Sequence, residues 1–383
     1  MNRRRLRLFA GTHSTRTHHA FRAAIKCDAV QTARSAVTYR VRCKAYSLPG
    51  RTMSQRPNAG IANDNAAPFQ KSSAAKAQWQ LVNSFGPYLL LWYAMDRAVA
   101  ISYWLMLPIA ILAAGFLARI FIIFHDCGHS SFFNSRMANN VTGAIAGLVN
   151  LTPYAHWRWQ HALHHGSSGN LDRRGAGDIW TLTVREFRDA SRGKRLAYRL
   201  ARNPLVLFLI APLYVFVIHH RFSSSAASPR ERRSVRRTNL ALLAGMLVMS
   251  SLIGLKSFLE IQLTVTALAG ALGLWLFYVQ HQFEGAYWER SKDWDYTQAA
   301  LQGSSFYKLP RVLQWFTGNI GYHHVHHLSP RIPNYFLQKC HEAQPQFREI
   351  RPVTLLTSLK SLTYRLWDEQ RKMYVGYKRP APF

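Results

Sequence analysis

The amino-acid sequence reads as an all-α integral membrane protein with four transmembrane helices. Long apolar stretches alternate with strongly basic ones, the apolar stretches fall into two tight hairpins, and the cations gather on one side of both hairpins. Of 383 residues, 48% are hydrophobic and 13% aromatic, enough to bury a large core.

The elements follow in order. Residues 1–57 carry thirteen Lys and Arg against one acid, Asp28. They lack the apolar core of a secretory signal peptide, while an Arg-rich, Ser-rich, acid-poor composition fits a transit peptide. The favoured expectation is a basic disordered tail or a mis-assigned start, with translation beginning at Met53. Residues 58–80 are polar and Ala-rich and read as a linker. Residues 81–345 form the membrane domain, and residues 346–383 a C-terminal cytosolic tail. Within the domain, Pro87–Ser102 is apolar apart from Asp96 and Arg97, and Tyr103–Phe124 has the length of a bilayer span. Together they make the first hairpin. Val141–Pro153 is too short to span. Asn203–Ile218 is also short, contains Pro204 and Pro212, and is placed in the membrane interface. Asn239–Leu255 and Phe258–Gln280, separated by Lys256 and Ser257, make the second hairpin.

Charge orients these spans. The formal net charge is +31. Such a charge suits nucleic acid or an anionic membrane surface. The cations lie in loops without interleaved aromatics, and no nucleic-acid-binding motif is present, so nucleic acid is excluded as a partner. The segment His156–Arg237 holds sixteen Lys and Arg against five acids, and His281–Phe383 fourteen against eight. The opposite loops are tiny and hold Arg97 and Lys256. By the positive-inside rule the basic face is cytoplasmic. Four cysteines without a CxxC pair argue against a zinc ribbon or a disulfide framework and fit free thiols in a reducing compartment.

Nine of the seventeen histidines form a pattern. The first box, His125-Asp-Cys-Gly-His129, follows the second span. The second is His161-Ala-Leu-His164-His165. The third is His323-His-Val-His326-His327. His281 stands alone after the last span, in Tyr278-Val-Gln-His-Gln-Phe-Glu284. On a helix, residues three and four apart share a face, so each box aims its imidazoles at one point. All four groups sit at cytoplasmic span ends and can converge beside the bilayer. Eight or nine imidazoles exceed the roughly four ligands of one zinc ion, whereas two metals would use them all. Imidazole suits Fe, Zn, Cu and Ni alike, so ligand type alone does not choose the metal. The Glu-x-x-His pairs of soluble di-iron carboxylate bundles and the HExxH of zinc proteases are absent. His324 points away from its box if the segment is helical, and is left out. His13, His18, His19, His156, His219, His220 and His341 are read as structural or solvent-facing. Asp126, Asp172 and Asp178 are candidates for orienting imidazoles from behind, with an ion pair to a neighbouring arginine the stronger reading for Asp172. Trp157 and Trp159 read as interfacial anchors, with the lining of an acyl tunnel as the other role.

The stretches Phe124–Phe133, His161–Gly169 with Asn170–Arg174, Tyr278–Glu284 and Gly321–Leu328 resemble the membrane fatty acid desaturases, over roughly residues 80–345. The likeness is strongest to bacterial delta-12 (omega-6) acyl desaturases. It implies a helical cytosolic cap over the four spans, carrying a histidine-ligated di-iron site. It also implies a multi-pass protein of the bacterial inner membrane that inserts a cis double bond using O2 and two electrons. Carried over by position, the ligands of two iron ions (Fe2+/Fe3+) are His125, His129, His161, His164, His165, His281, His323, His326 and His327. The substrate is a fatty acyl lipid. No cytochrome b5-like motif, flavin fingerprint or ferredoxin cysteine set occurs, so an external ferredoxin or cytochrome is implied as electron donor. The basic face suits an acidic donor and membrane lipid headgroups. Two rivals stand beside this reading. Another di-iron membrane oxygenase, a hydroxylase or carotenoid ketolase, would yield a hydroxyl or ketone. A metal-binding membrane transporter would place ionisable groups inside its spans.

Overall fold

Two long helical hairpins form the frame of the computed structural model, which describes residues 66–175 and 177–377 together with two short strands near the N-terminus. Residues 1–57 are one unit and 58–383 another. In the first unit, β1 (Ala24–Asp28) pairs antiparallel with β2 (Arg42–Tyr46). The rest of the expected tail, Met53 and residues 58–65 of the expected linker lie outside the described residues, whereas the linker's second half is helical from Ala74.

In the second unit, α1 (Ala74–Val99) starts where the Ser73 hydroxyl accepts from Lys76 N, well before the apolar run Pro87–Ser102. Such a cap satisfies an otherwise orphan amide. After a three-residue turn, α2 (Tyr103–His129) runs back, capped by Ser102 and closed by Ser130 in the left-handed region at φ 59°. The inner face of α2 places Ala110, Ala113, Ile120 and Ile123 in the core, with α1 contributing Tyr88 and Met95. Two amphipathic helices follow, α3 (Arg136–Val149) and α4 (Tyr154–Ser167). Gly143 lets the Tyr154 ring come close: a Cβ there would collide with it. The Tyr154 hydroxyl donates to the Cys127 carbonyl at 2.6 Å, tying α4 to the end of α2.

Beyond α4, a two-residue strand β3 (Leu182–Thr183) leads into α5 (Val184–Asp189), which opens on a Thr183/Glu186 capping box, and then α6 (Arg192–Ala201). The segment Val206–Arg221, largely π-helical and holding Pro212, is bent 60° from α6. A second hairpin joins α7 (Pro229–Ile253) to α8 (Leu255–His281) through Gly254 at φ 82°. Short helices α9 (Tyr296–Gln302), α10 (Arg311–Phe316), α11 (His323–Leu328) and α12 (Asn334–Ala343) follow α8.

Among the described residues two helices, α2 and α8, are long and apolar enough to cross a membrane; α6 with Val206–Arg221 makes a third if that bent pair is one span. Their hairpin partners α1 and α7 have similar length but less sustained apolarity, and α7 opens on an Arg-rich first half. The architecture is mostly helical, and it includes a small sheet that the all-α expectation did not contain. β3 pairs parallel with β4 (Leu366–Asp368), which pairs antiparallel with β5 (Met373–Val375). Strands of two or three residues carry no readable period-2 pattern, and this sheet exists because distant segments meet. The stretch expected as a C-terminal tail is folded as far as residue 377: Trp367 and Tyr374 are buried with Leu171, Ala286 and Trp288.

Candidate metal centre

The last turn of α2 carries His125 and His129; the second half of α4 carries His161, His164 and His165; His281 ends α8; α11 carries His323, His326 and His327. The structure brings all nine together. His125, His129, His161, His165 and His326 form one group, and His164, His281 and His327 another, with one ring nitrogen of each member lying within 4.8 Å of the others in its group. His323 joins the second group: its Nε2 lies 3.1 Å from His281 Nε2, and its ring centroid 4.5 Å from that of His327. The groups adjoin, since the His165 and His327 rings stack at 4.2 Å.

Helical spacing explains the division. On α4, His161 and His165 are one turn apart and serve the first group, while His164 turns to the second. On α11 the roles reverse: His323 and His327 serve the second group and His326 the first. Each adjacent pair of histidines is therefore split between two sites.

Outer partners fix several rings. Asp126 Oδ1 lies 3.0 Å from His125 Nδ1, and Asp126 Oδ2 accepts from Asn334 N at 2.6 Å and from Asn334 Nδ2 at 2.8 Å. His164 Nδ1–H donates to Asp178 Oδ1 at 2.7 Å, and His281 Nδ1–H donates to the Gly303 carbonyl at 3.1 Å. Trp157 stacks on His161 at 4.4 Å. Asp172 serves no imidazole; it accepts from Arg290 at 2.7 Å and from Ser291 N at 2.9 Å. Trp159 lies beside His156.

The donor chemistry fits a bound cation. A carboxylate and a carbonyl only accept, so the protons of His164 and His281 sit on Nδ1 and both Nε2 atoms present bare lone pairs. These atoms face each other at 3.2 Å. Two lone pairs at that distance repel unless a positive charge lies between them. Among the described residues the buried Nε2 atoms of His129 and His327 have no hydrogen-bond partner, although buried polar atoms are ordinarily satisfied. Burial, reinforced by neighbouring histidines, holds His161, His165, His323, His326 and His327 well below the usual imidazole range. They are thus kept neutral, the form that binds metal.

The remaining described histidines do other work. His324 lies on the far face of α11, with Nε2 3.0 Å from His341 Nδ1. His156 Nε2 accepts from Ser224 N at 3.1 Å, and His220 Nδ1 meets the Thr152 hydroxyl at 3.2 Å. His13, His18 and His19 fall outside the described residues. Sequence reasoning missed Gly303 and Asn334, which act through a backbone carbonyl and from the first turn of the distant helix α12, and leave no local signal. Trp157 was named in another role, although its position four residues before His161 places it on the same helical face.

The model of the family described as fatty acid desaturase matches residues 102–355. A fatty acid desaturase of Bacillus subtilis (strain 168) is 48% identical over 82% of this chain and 89% of its own length. A ferredoxin-named sn-1 acyl-lipid omega-3 desaturase of Nostoc sp. (strain 36) is 31% identical over 68% of this chain and 73% of its own. An sn-1 oleoyl-lipid 12-desaturase of Synechocystis sp. is 27% identical over 64% and 72%. The family match takes in all four histidine stretches and both long apolar helices that the geometry joins, and this chain belongs to the fatty acid desaturase family, as an oxygen-dependent oxidoreductase.

Proposed function

We propose that the nine histidines hold two iron ions, one in each group, and that the enzyme inserts a cis double bond into a membrane acyl chain with O2 and two electrons from an external donor. The observation that carries this reading is the pair of Nε2 atoms on His164 and His281, facing at 3.2 Å with their protons turned outward. Held by these imidazoles, two irons would supply the oxygen activation needed to take hydrogen from an unactivated –CH2–CH2– unit. The chain's own residues position and insulate them. Asp126, Asp178 and the Gly303 carbonyl orient imidazoles, and Trp157 covers the His161 face.

The reading extends to topology. The hairpins α1/α2 and α7/α8 make four spans with the histidines and the basic loops on the cytoplasmic face. The charge asymmetry and the exposed apolar rows of α1 (Leu89, Leu90, Tyr93) and α7 (Leu240, Leu247, Leu252) support it. A double bond at the delta-12 (omega-6) position draws support from the oleoyl-lipid 12-desaturase relative; the name of the Bacillus relative gives no position. Ferredoxin as donor draws support from the name of the Nostoc relative.

Expression in a host rich in saturated and monounsaturated chains tests the proposal. Iron analysis of the purified protein should give two irons per chain, and gas chromatography with mass spectrometry of derivatised fatty acids should locate a new alkene. A stoichiometry of one metal, or zinc in place of iron, overturns the site. An alkene elsewhere overturns only the delta-12 assignment.

A further inference from the structure

Beside the end of α8 opens a cleft lined by Phe283, Glu284, Arg351, Lys360 and Tyr364. Arg351 and Lys360 are exposed, as is Lys308, whose backbone amide donates to the Val353 carbonyl on the cleft wall at 2.8 Å. Glu284 is the one acid on that wall. Two lining cations against one acid leave the cleft with a net positive charge, with Lys360 Nζ 4.0 Å from Glu284 Oε2 and Arg351 free of that pair.

From this cleft a continuous aromatic path leads inward. Tyr364, on the wall, stacks on buried Tyr374 with ring centroids 5.8 Å apart and planes at 21°. The Tyr374 hydroxyl accepts from Trp288 Nε1 at 2.6 Å and donates to the His281 carbonyl at 3.4 Å. Trp288 and His281 wall one small cavity at the metal site. The path is held rigidly. Arg202, 1% exposed, donates to the Tyr364 carbonyl at 2.7 Å and to the Tyr278 hydroxyl at 3.1 Å, one turn before His281.

We propose that this cleft is the docking point of the electron donor, an acidic one-electron carrier protein, and that electrons reach the metal centre through the packed Tyr364–Tyr374–Trp288–His281 contact path. The inference rests on the desaturase reading above. Conversion of –CH2–CH2– to –CH=CH– releases two electrons and two protons, and reduction of O2 to two waters takes four of each. Two electrons and two protons must therefore come from outside, the electrons one at a time from the reduced carrier. No residue of the path is itself reduced; the aromatic rings and hydrogen bonds are the medium through which the electron tunnels. Exposed Leu355, Leu356 and Leu359 flank the cleft. They suit the apolar centre of a protein interface and equally a lipid surface, but a lipid site has no use for an aromatic path to a metal ligand.

The test is anaerobic stopped-flow reduction of the ferric holoenzyme in nanodiscs, with a reduced [2Fe–2S] ferredoxin as the protein donor and dithionite as the small one. Charge reversal by Arg351→Glu with Lys360→Glu should raise the half-saturating ferredoxin concentration roughly tenfold and flatten its salt dependence. The limiting rate and the dithionite rate should stay unchanged. Tyr364→Leu should do the converse: the limiting rate from ferredoxin falls severalfold, half-saturation holds, and dithionite reduction is unaltered. Equal losses with both reductants make the residues structural and overturn the proposal. So does an unchanged ferredoxin response, or a change confined to binding of anionic vesicles, which assigns the cleft to lipid. A protein that carries no iron, or forms no alkene with any donor, instead refutes the desaturase site reading.

Discussion

The two histidine groups are built from the same side chain and held in different ways. In the second group, two of the four rings are fixed from behind by hydrogen bonds, His164 by Asp178 and His281 by the Gly303 carbonyl. In the first, only His125 has such a partner, Asp126; the Nδ1 atoms of His165 and His326 have none, and Trp157 holds His161 by stacking. One site is oriented mainly by hydrogen bonding, the other mainly by packing and by one more imidazole. Outer carboxylates raise ligand basicity and fix the tautomer. The second site therefore depends on a few strong constraints, and the first on many weak ones.

The largest effect comes from removing a ligand. His164→Ala should abolish alkene formation, read by gas chromatography of fatty acid methyl esters, while leaving membrane insertion intact, since α4 is not one of the helices long and apolar enough to cross a membrane. It should also remove half of the iron. Full activity in this variant would break the assignment. The next effect separates the groups. Asp178→Asn should weaken metal retention about 10–100-fold in the second site alone, measured as iron lost to a chelator over time. Asp126→Asn should weaken the first site and also release Asn334. That leaves a buried backbone amide and side chain poorly satisfied, at about 1–3 kcal/mol of stability. If both variants lose one iron with the same thermal cost, the contrast between the groups is wrong.

The difference also shows what the sequence could carry. The boxes were legible because HxxxH and HxxHH encode a helical face locally, and their order around the apolar runs encodes their convergence. His281 was placed by its position after a span. The exclusion of His324 followed from helix geometry and agrees with its contact to His341. Less was legible where structure rests on distant partners. Leu366 pairs with Leu182, and Trp367 with Tyr374, and no local pattern marks residues 366–375 as strands. The Gly303 carbonyl is invisible to any residue-type argument because the backbone supplies it. The four hairpin helices were legible to different degrees: α2 and α8 announce themselves by sustained apolarity, whereas α1 and α7 mix apolar rows with charge.

Acid should act next. Burial holds His161, His165, His323, His326 and His327 neutral well below the ordinary imidazole value of 6.5. In the unfolded chain they protonate near that value, so below it the unfolded state binds more protons. The contribution to folding is therefore fully present above the unfolded pKa and declines as pH falls through about 6.5 toward the depressed folded values. Metal-free protein should show a thermal midpoint that is flat above neutrality and drops on acidification. Iron-loaded protein should hold its midpoint further into acid, because the metal competes with protons for the same nitrogens. A midpoint for the metal-free form that stays constant from neutral pH to pH 5 would contradict the buried neutral cluster.

The smallest effect sharpens the contrast among the three aspartates. Asp172 follows the second box closely in sequence, yet it pairs with Arg290 rather than with an imidazole. Both partners are about two-fifths exposed, with side-chain values of 40% and 41%. Arg290 also donates to Glu369 at 2.8 Å, so it keeps an acidic partner when Asp172 is neutralised. Exposed pairs of this kind contribute about 0–1 kcal/mol. Asp172→Asn should therefore shift the thermal midpoint slightly and leave iron content and retention at parental values. Loss of iron in this variant on the scale of Asp178→Asn would mean that proximity to the box in sequence, and not contact with the ring, is what governs metal binding, and the distinction between the two aspartates would fall.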